Sequence, residues 1–252
     1  MNEAKMAGTI VPADHETATT DATRQPEAPQ PQKSWRDSKW LALVEFLLVA
    51  VIFYADYRGW IPFSKTPELV LLGWISLRVR KLRWRDVGLT RYRSWPVTIG
   101  LGVGMGALLE TFQLLVTQPI LAKLIGRQPD LDLFRTLTGN LQMTALFIAL
   151  SWTLAAFGEE MVWRGYLMNR VADVFGRTKG AWVCSLVIVH IVFGFAHGYQ
   201  GLTGVIEEGL SGLFLGLMYL GTGRNLSVPI VAHGVADMID MVLIFFGKMP
   251  GM

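Results

Sequence analysis

Apolar runs near residues 41–57, 67–78, 96–118, 141–171, 180–199, 203–221 and 226–246 constrain this chain more than any other feature. A helix needs about 20 residues to cross the hydrocarbon core of a bilayer. In lipid the backbone polar groups must be satisfied inside each segment, so runs of this kind fold as helices. Only 17% of the residues are charged, against about 25% in a soluble domain. The expectation is an all-α, polytopic transmembrane helix bundle of about seven spans, with six to eight as the range. The second run, PELVLLGWISL, is the shortest and the weakest of the set.

Residues 1–39 differ from everything that follows. They are rich in Ala, Thr, Pro, Gln, Asp and Glu and carry almost no large apolar residue before Trp35. Such a segment buries too little surface to offset its ordering entropy, which predicts a disordered tail over 1–39 and a transmembrane helical domain over 40–252. A signal peptide needs a basic start and an early apolar run, and neither stands near Met1. The single cysteine, Cys184, lies in an apolar run and reads as a small packed side chain. It excludes a disulfide framework within one chain.

Lysine and arginine gather on alternate connections. Lys33, Arg36 and Lys39 precede the first run, and the stretch RVRKLRWRDVGLTRYR separates the second from the third. Arg164, Arg170, Arg177 and Lys179 stand near the turn from the fourth to the fifth, and Arg224 between the sixth and seventh. Basic residues mark the cytoplasmic side, so the expectation is a multi-pass protein of the plasma membrane with a cytoplasmic N-terminus. The basic stretch between two spans fits lipid headgroups, and no nucleic-acid partner is expected. In the third run Gly100, Gly102, Gly104 and Gly106 alternate, giving small residues four apart that let helices pack closely in lipid.

Ionisable residues inside spans are costly and mark functional pathways. In GEEMVWRGYL, Glu160 and Arg164 are four apart and share a helix face. Glu159 points about 100° away and is free for another partner. In VFGFAHGYQG, His197 follows Phe193 by one turn, and in VPIVAHGVADMIDM, His233 and Asp237 share a face. An acid one turn from an imidazole can orient it or take its proton. At 1.5 Å per residue the three motifs can converge in the cytoplasmic-to-middle part of the membrane.

A carboxylate shielded from water can take a proton from a water molecule, and a histidine beside it can position that water. Further polar groups can donate to the oxyanion of a tetrahedral intermediate. This inventory suits peptide hydrolysis without a covalent intermediate. It equally suits a divalent metal such as zinc, held by His197, His233 and Glu159. Neither His-Glu-x-x-His nor Gly-x-Ser-x-Gly occurs.

EEMVWR, FGFAH and HGVAD, in that order, resemble the Glu-Glu-x-x-x-Arg, Phe-x-x-x-His and His-x-x-x-Asn/Asp motifs of the CPBP (Abi) intramembrane proteases. These include the type II CAAX prenyl endopeptidase. The likeness covers roughly 141–245, the expected protease core, with WRGYL after the first motif and GLFLGLMYLGTGRNLSVPIVAH before the third. It implies that Glu159 is the general base with His197 as partner, that Glu160 and Arg164 are paired support, and that His233 and Asp237 stabilise the oxyanion. Family members are often described as metalloproteases. Trp163 stands where the family often has Phe, a change of packing. Asp237 stands where the CAAX endopeptidases have Asn, and Asp donates a hydrogen bond only when protonated. The implied substrate is a membrane-associated protein or peptide. Two other functions remain open at this stage, a non-proteolytic membrane immunity or scaffold protein and a proton-coupled transporter. The acidic pair Glu207–Glu208 reads as the lining of a polar cavity or a helix end, and His190 as a structural hydrogen bond. Glu45 and Glu110 read as cavity caps or interhelical partners, with no partner evident in the sequence.

Overall fold

The computed structural model describes residues 34–252. The tail expected over 1–39 therefore lies outside the described residues as far as residue 33. Residues Trp35–Asp37 form a 3₁₀ turn whose N-cap is Ser34. Ser38 then caps the first long helix, its hydroxyl accepting from the Trp40 N–H.

The helices are α1 (Lys39–Tyr57), α2 (Thr66–Val79), α3 (Trp95–Ile125), α4 (Leu141–Val174), α5 (Lys179–Ala196), α6 (Gly201–Gly221) and α7 (Ser227–Phe245). They correspond one to one with the apolar runs, and no strand occurs among the described residues. All but α2 are long and apolar enough to cross a membrane. With 14 residues, α2 is too short to span. The molecule is a polytopic helical bundle and an integral membrane protein.

The hub is α4. From Glu160 to Ala172 every residue is buried, the pattern of a helix surrounded by others. It packs against α1, α2, α5 and α7. Its Met161, Val162, Trp163, Tyr166 and Leu167 form one core with Leu69, Leu77, Val189 and Phe193. The outward faces of α1 and α5 carry exposed Leu47, Val51, Val183, Val187 and Ile191, the apolar surface a bilayer covers.

The glycines of α3 divide by face. A Cβ on Gly102 would meet the Val231 side chain at 2.5 Å, and one on Gly106 would meet the Ala232 carbonyl oxygen at 2.3 Å. Gly100 and Gly104 face open space. Only one of the two small stripes is therefore a helix contact, the one against α7.

The arginine-rich connections all lie at one end. There Gly88 adopts φ +110°, and a side chain at that position would collide with the Arg224 carbonyl. This close approach lets the Leu226 N–H donate to the Gly88 carbonyl at 2.8 Å. Asn225 and Ser227 donate to the Thr90 carbonyl from the same turn. The basic stretch is thus pinned to the α6–α7 turn, around a cleft of about 350 Å³ that includes Arg85, Arg91, Arg93 and Arg224.

Candidate active site

Glu160 and Arg164 are fully buried and joined at 2.6 Å. The Glu160 oxygen that accepts from Arg164 also faces His233 Nδ1 at 2.9 Å. Arg164 extends further, donating from its other terminal nitrogen to the Gly212 carbonyl at 2.8 Å and lying 5.1 Å over the Phe193 ring. One guanidinium therefore ties α4 to α5 and α6, while Glu160 ties α4 to α7. The sequence spacing identifies the Glu160–Arg164 pair. It does not identify His233 as the third member, because that contact crosses 73 residues of chain.

The local backbone bears on this placement. α4 widens into π-helical turns over Ser151–Glu159 and again over Met161–Leu167. Such turns are rare and frequent at functional sites. The angle between Glu159 and Glu160 is therefore not that of a regular α-helix, yet the two carboxyls still diverge. Glu160 turns inward to arginine, and Glu159 is half-buried on a cavity wall. Gly158 makes room for this wall, since a Cβ there would meet Thr66 Cγ2 at 2.6 Å.

His197 stands just beyond the last residue of α5, as its C-cap. Its Nδ1 faces the Phe193 carbonyl oxygen at 2.9 Å. That contact calls for a proton on Nδ1, which leaves Nε2 as the basic nitrogen. The Phe193 and His197 rings are 4.7 Å apart, and Trp163 meets Phe193 edge-on at 5.2 Å. Among the described residues no direct hydrogen bond joins Glu159 to His197, but both line the same two cavities.

The first cavity, about 280 Å³, also includes His233 and Asp237. His233 Nε2 lies 3.5 Å from Asp237 Oδ1, longer than a good hydrogen bond. Glu160 is thus the closer support of His233, and Asp237 stands beside the outward nitrogen. The second cavity, about 290 Å³, shares Glu159 and His197 with the first and is lined further by Leu69, Val162, Trp163 and Ala196.

The brace lies toward the arginine-rich end, since His233 is six residues from the start of α7 where it meets Glu160, and the cavity extends from there toward the other end. The first cavity is walled by Phe63, Ser64, Leu131 and Phe134 of the connections opposite the arginine-rich end, and by Met249 beyond α7. α5 stops at Ala196 and leaves His197 as its C-cap, three residues short of the end at 199 that the hydropathy predicts. Among the described residues no group of three or more His, Cys, Asp or Glu side chains is disposed to hold a metal ion. Glu159, His197 and His233 do not fit a metal site as they stand, and no step below depends on one.

The remaining candidates fall outside this group. His190 directs Nδ1 at the Leu186 carbonyl and packs against Gly212 and Gly216, a structural role. Glu45 is paired with Arg80 of the α2–α3 connection. The sequence could have pointed to this pair only through burial, since both are otherwise ordinary interfacial charges. Glu110, Glu207 and Glu208 all enter the first cavity.

No curated protein and no solved structure matches the chain. The family model described as type II CAAX prenyl endopeptidase Rce1-like matches residues 141–239. This stretch is less than half of the chain, but it contains all seven residues of the three motifs. With the Glu160–Arg164–His233 brace and the Glu159–His197 wall inside it, this segment of the chain is similar to the type II CAAX prenyl endopeptidases.

Proposed function

We propose that the protein is an intramembrane endopeptidase that hydrolyses membrane-associated protein or peptide substrates with water activated by Glu159 and His197. The observation that carries this reading is the position of those two side chains on a wall common to two cavities. A peptide crossing that wall has room for its chain on both sides of the scissile bond. Water held between the Glu159 carboxylate and His197 Nε2 attacks the carbonyl carbon, and Glu159 takes its proton. The same carboxyl then delivers the proton to the leaving amine as the tetrahedral intermediate collapses. His233, held from behind by Glu160, presents Nε2 to the cavity beside the developing oxyanion, where a fixed donor is most effective. Asp237 orients that nitrogen. Arg164 touches no substrate; it positions Glu160 and through it His233.

Glu159→Gln and His197→Ala test the assignment. Each is expected to lower cleavage by roughly 10²-fold or more while leaving membrane insertion and thermal stability intact. Comparison of membrane proteomes from cells carrying wild type and each variant reads the result as accumulation of uncleaved substrate. Two variants that fold, insert and leave the cleavage pattern unchanged would overturn the protease reading.

A further inference from the structure

The first cavity is one-sided in charge. Six carboxyl groups line it, those of Glu110, Glu159, Glu207, Glu208, Asp237 and Asp240, and neither lysine nor arginine does. Glu159 and Asp237 are accounted for by the hydrolytic site, which leaves Glu110, Glu207, Glu208 and Asp240 without a task. They come from three helices, α3, α6 and α7. Glu110 is 3% exposed, Glu207 5% and Gln118 4%. Glu207 Oε1, Asp240 Oδ1 and the Gln118 side-chain carbonyl oxygen are all buried without a hydrogen-bond partner. Three acceptor atoms buried in the wall of one cavity without a hydrogen-bond partner are costly to keep, and a native protein normally gives each a partner. All three lack the same thing, a donor, and the surrounding charge calls for one that is positive.

Resting on the endopeptidase reading, we propose that Glu110, Glu207 and Asp240, with Gln118, form a subsite for a lysine or arginine side chain of the substrate. The carboxyls come from three helices, and no set of three acidic, histidine or cysteine side chains among the described residues is disposed to hold a metal ion. A multi-donor organic cation fits such a spread, because guanidinium carries five N–H donors in a planar fork and ammonium three. Space of about 280 Å³ accommodates one long basic side chain with part of its backbone. The subsite shares its cavity with Glu159 and His197, so the basic residue sits close to the scissile bond in the substrate sequence. An aliphatic side chain would leave the three acceptors unpartnered, which is the condition that makes a polar site reject an apolar analogue.

The test uses the full chain in lipid nanodiscs with two probes of equal chain length, dodecylguanidinium and dodecanol. Wild type is expected to bind dodecylguanidinium about tenfold or more tightly than Glu110→Gln or Glu207→Gln does, with dodecanol binding equal in all three. Equal dodecylguanidinium binding across the three overturns the subsite, as does displacement of the probe by calcium or zinc at equal concentration. Cleavage profiling on a complex peptide mixture is the second arm. Wild type is expected to cut near Lys or Arg, and Glu207→Gln to lose that preference. Cleavage with no basic preference overturns the subsite while sparing the protease. Selective probe binding without any cleavage spares the cation site and overturns the protease reading.

Discussion

Arg164 is the residue on which the bracing of the site converges. Its contacts to Glu160, Gly212 and Phe193 leave it fully buried, and removing one partner of a buried pair leaves the other charge uncompensated. Arg164→Met is therefore expected to destabilise the protein by on the order of 3–5 kcal/mol, read as a lower unfolding midpoint in detergent. Arg164→Lys is expected to recover little, since one ammonium cannot reproduce the fork that reaches both Glu160 and Gly212. At this scale the sequence was legible where partners are close along the chain. Glu160 and Arg164, four apart on one face, are an example, and so is the separation of Glu159 from them. It was not legible where a partner comes from another helix. The bond from His233 to Glu160, the pairing of Glu45 with Arg80, and the gathering of Glu110, Glu207 and Asp240 all depend on helix packing, and intrahelical spacing carries no information about that.

Helix α3 shows the same limit one level up. Its alternating glycines present two small stripes that are equivalent in sequence, and packing uses one. Gly106→Ala and Gly102→Ala are each expected to cost about 1–3 kcal/mol, because the added methyl meets α7 backbone or side chain. Gly100→Ala and Gly104→Ala are expected to fall within about 0.5 kcal/mol of wild type. Four thermal unfolding curves in one detergent decide it, and equal losses on both stripes would show that the α3–α7 contact is not the close one. The number and order of the helices were readable from hydropathy because each run satisfies its own backbone. Their ends were less so: α5 finishes at Ala196, three residues before the expected end, and His197 becomes its C-cap. The π-helical turns of α4 leave no mark in hydropathy either, since widening the helix changes its register and not its composition.

The whole molecule has two unlike ends, one rich in arginine and one walled by the connections around Phe63, Leu131 and Met249. If the positive end is cytoplasmic, as charge bias predicts, the hydrolytic cavity faces away from the cytoplasm. Single cysteines at Ser64 and Arg91, in a Cys184→Ser background, are expected to react with a membrane-impermeant maleimide from opposite sides in right-side-out and inverted vesicles, with Ser64→Cys labelled from outside. Labelling of Ser64→Cys in inverted vesicles alone would reverse the orientation. α4 runs the full length between these ends, and its π turns act as a phase offset in a shaft. One residue more is wound into each wide turn than an α-helix would hold. Deleting a single residue, Ala155 for instance, would let the shaft relax to regular pitch while leaving hydropathy, charge and span length nearly unchanged. The two halves would stay in phase, because the residue removed is the one the wide turn holds in surplus, and both carboxylates beyond it would keep their partners. Such a protein is expected to insert and cleave as wild type does, whereas deleting one residue of the regular stretch before it, Ala145 for instance, slips the phase by about 100° and is expected to abolish cleavage, a loss caused by timing along a helix rather than by the removal of any chemical group.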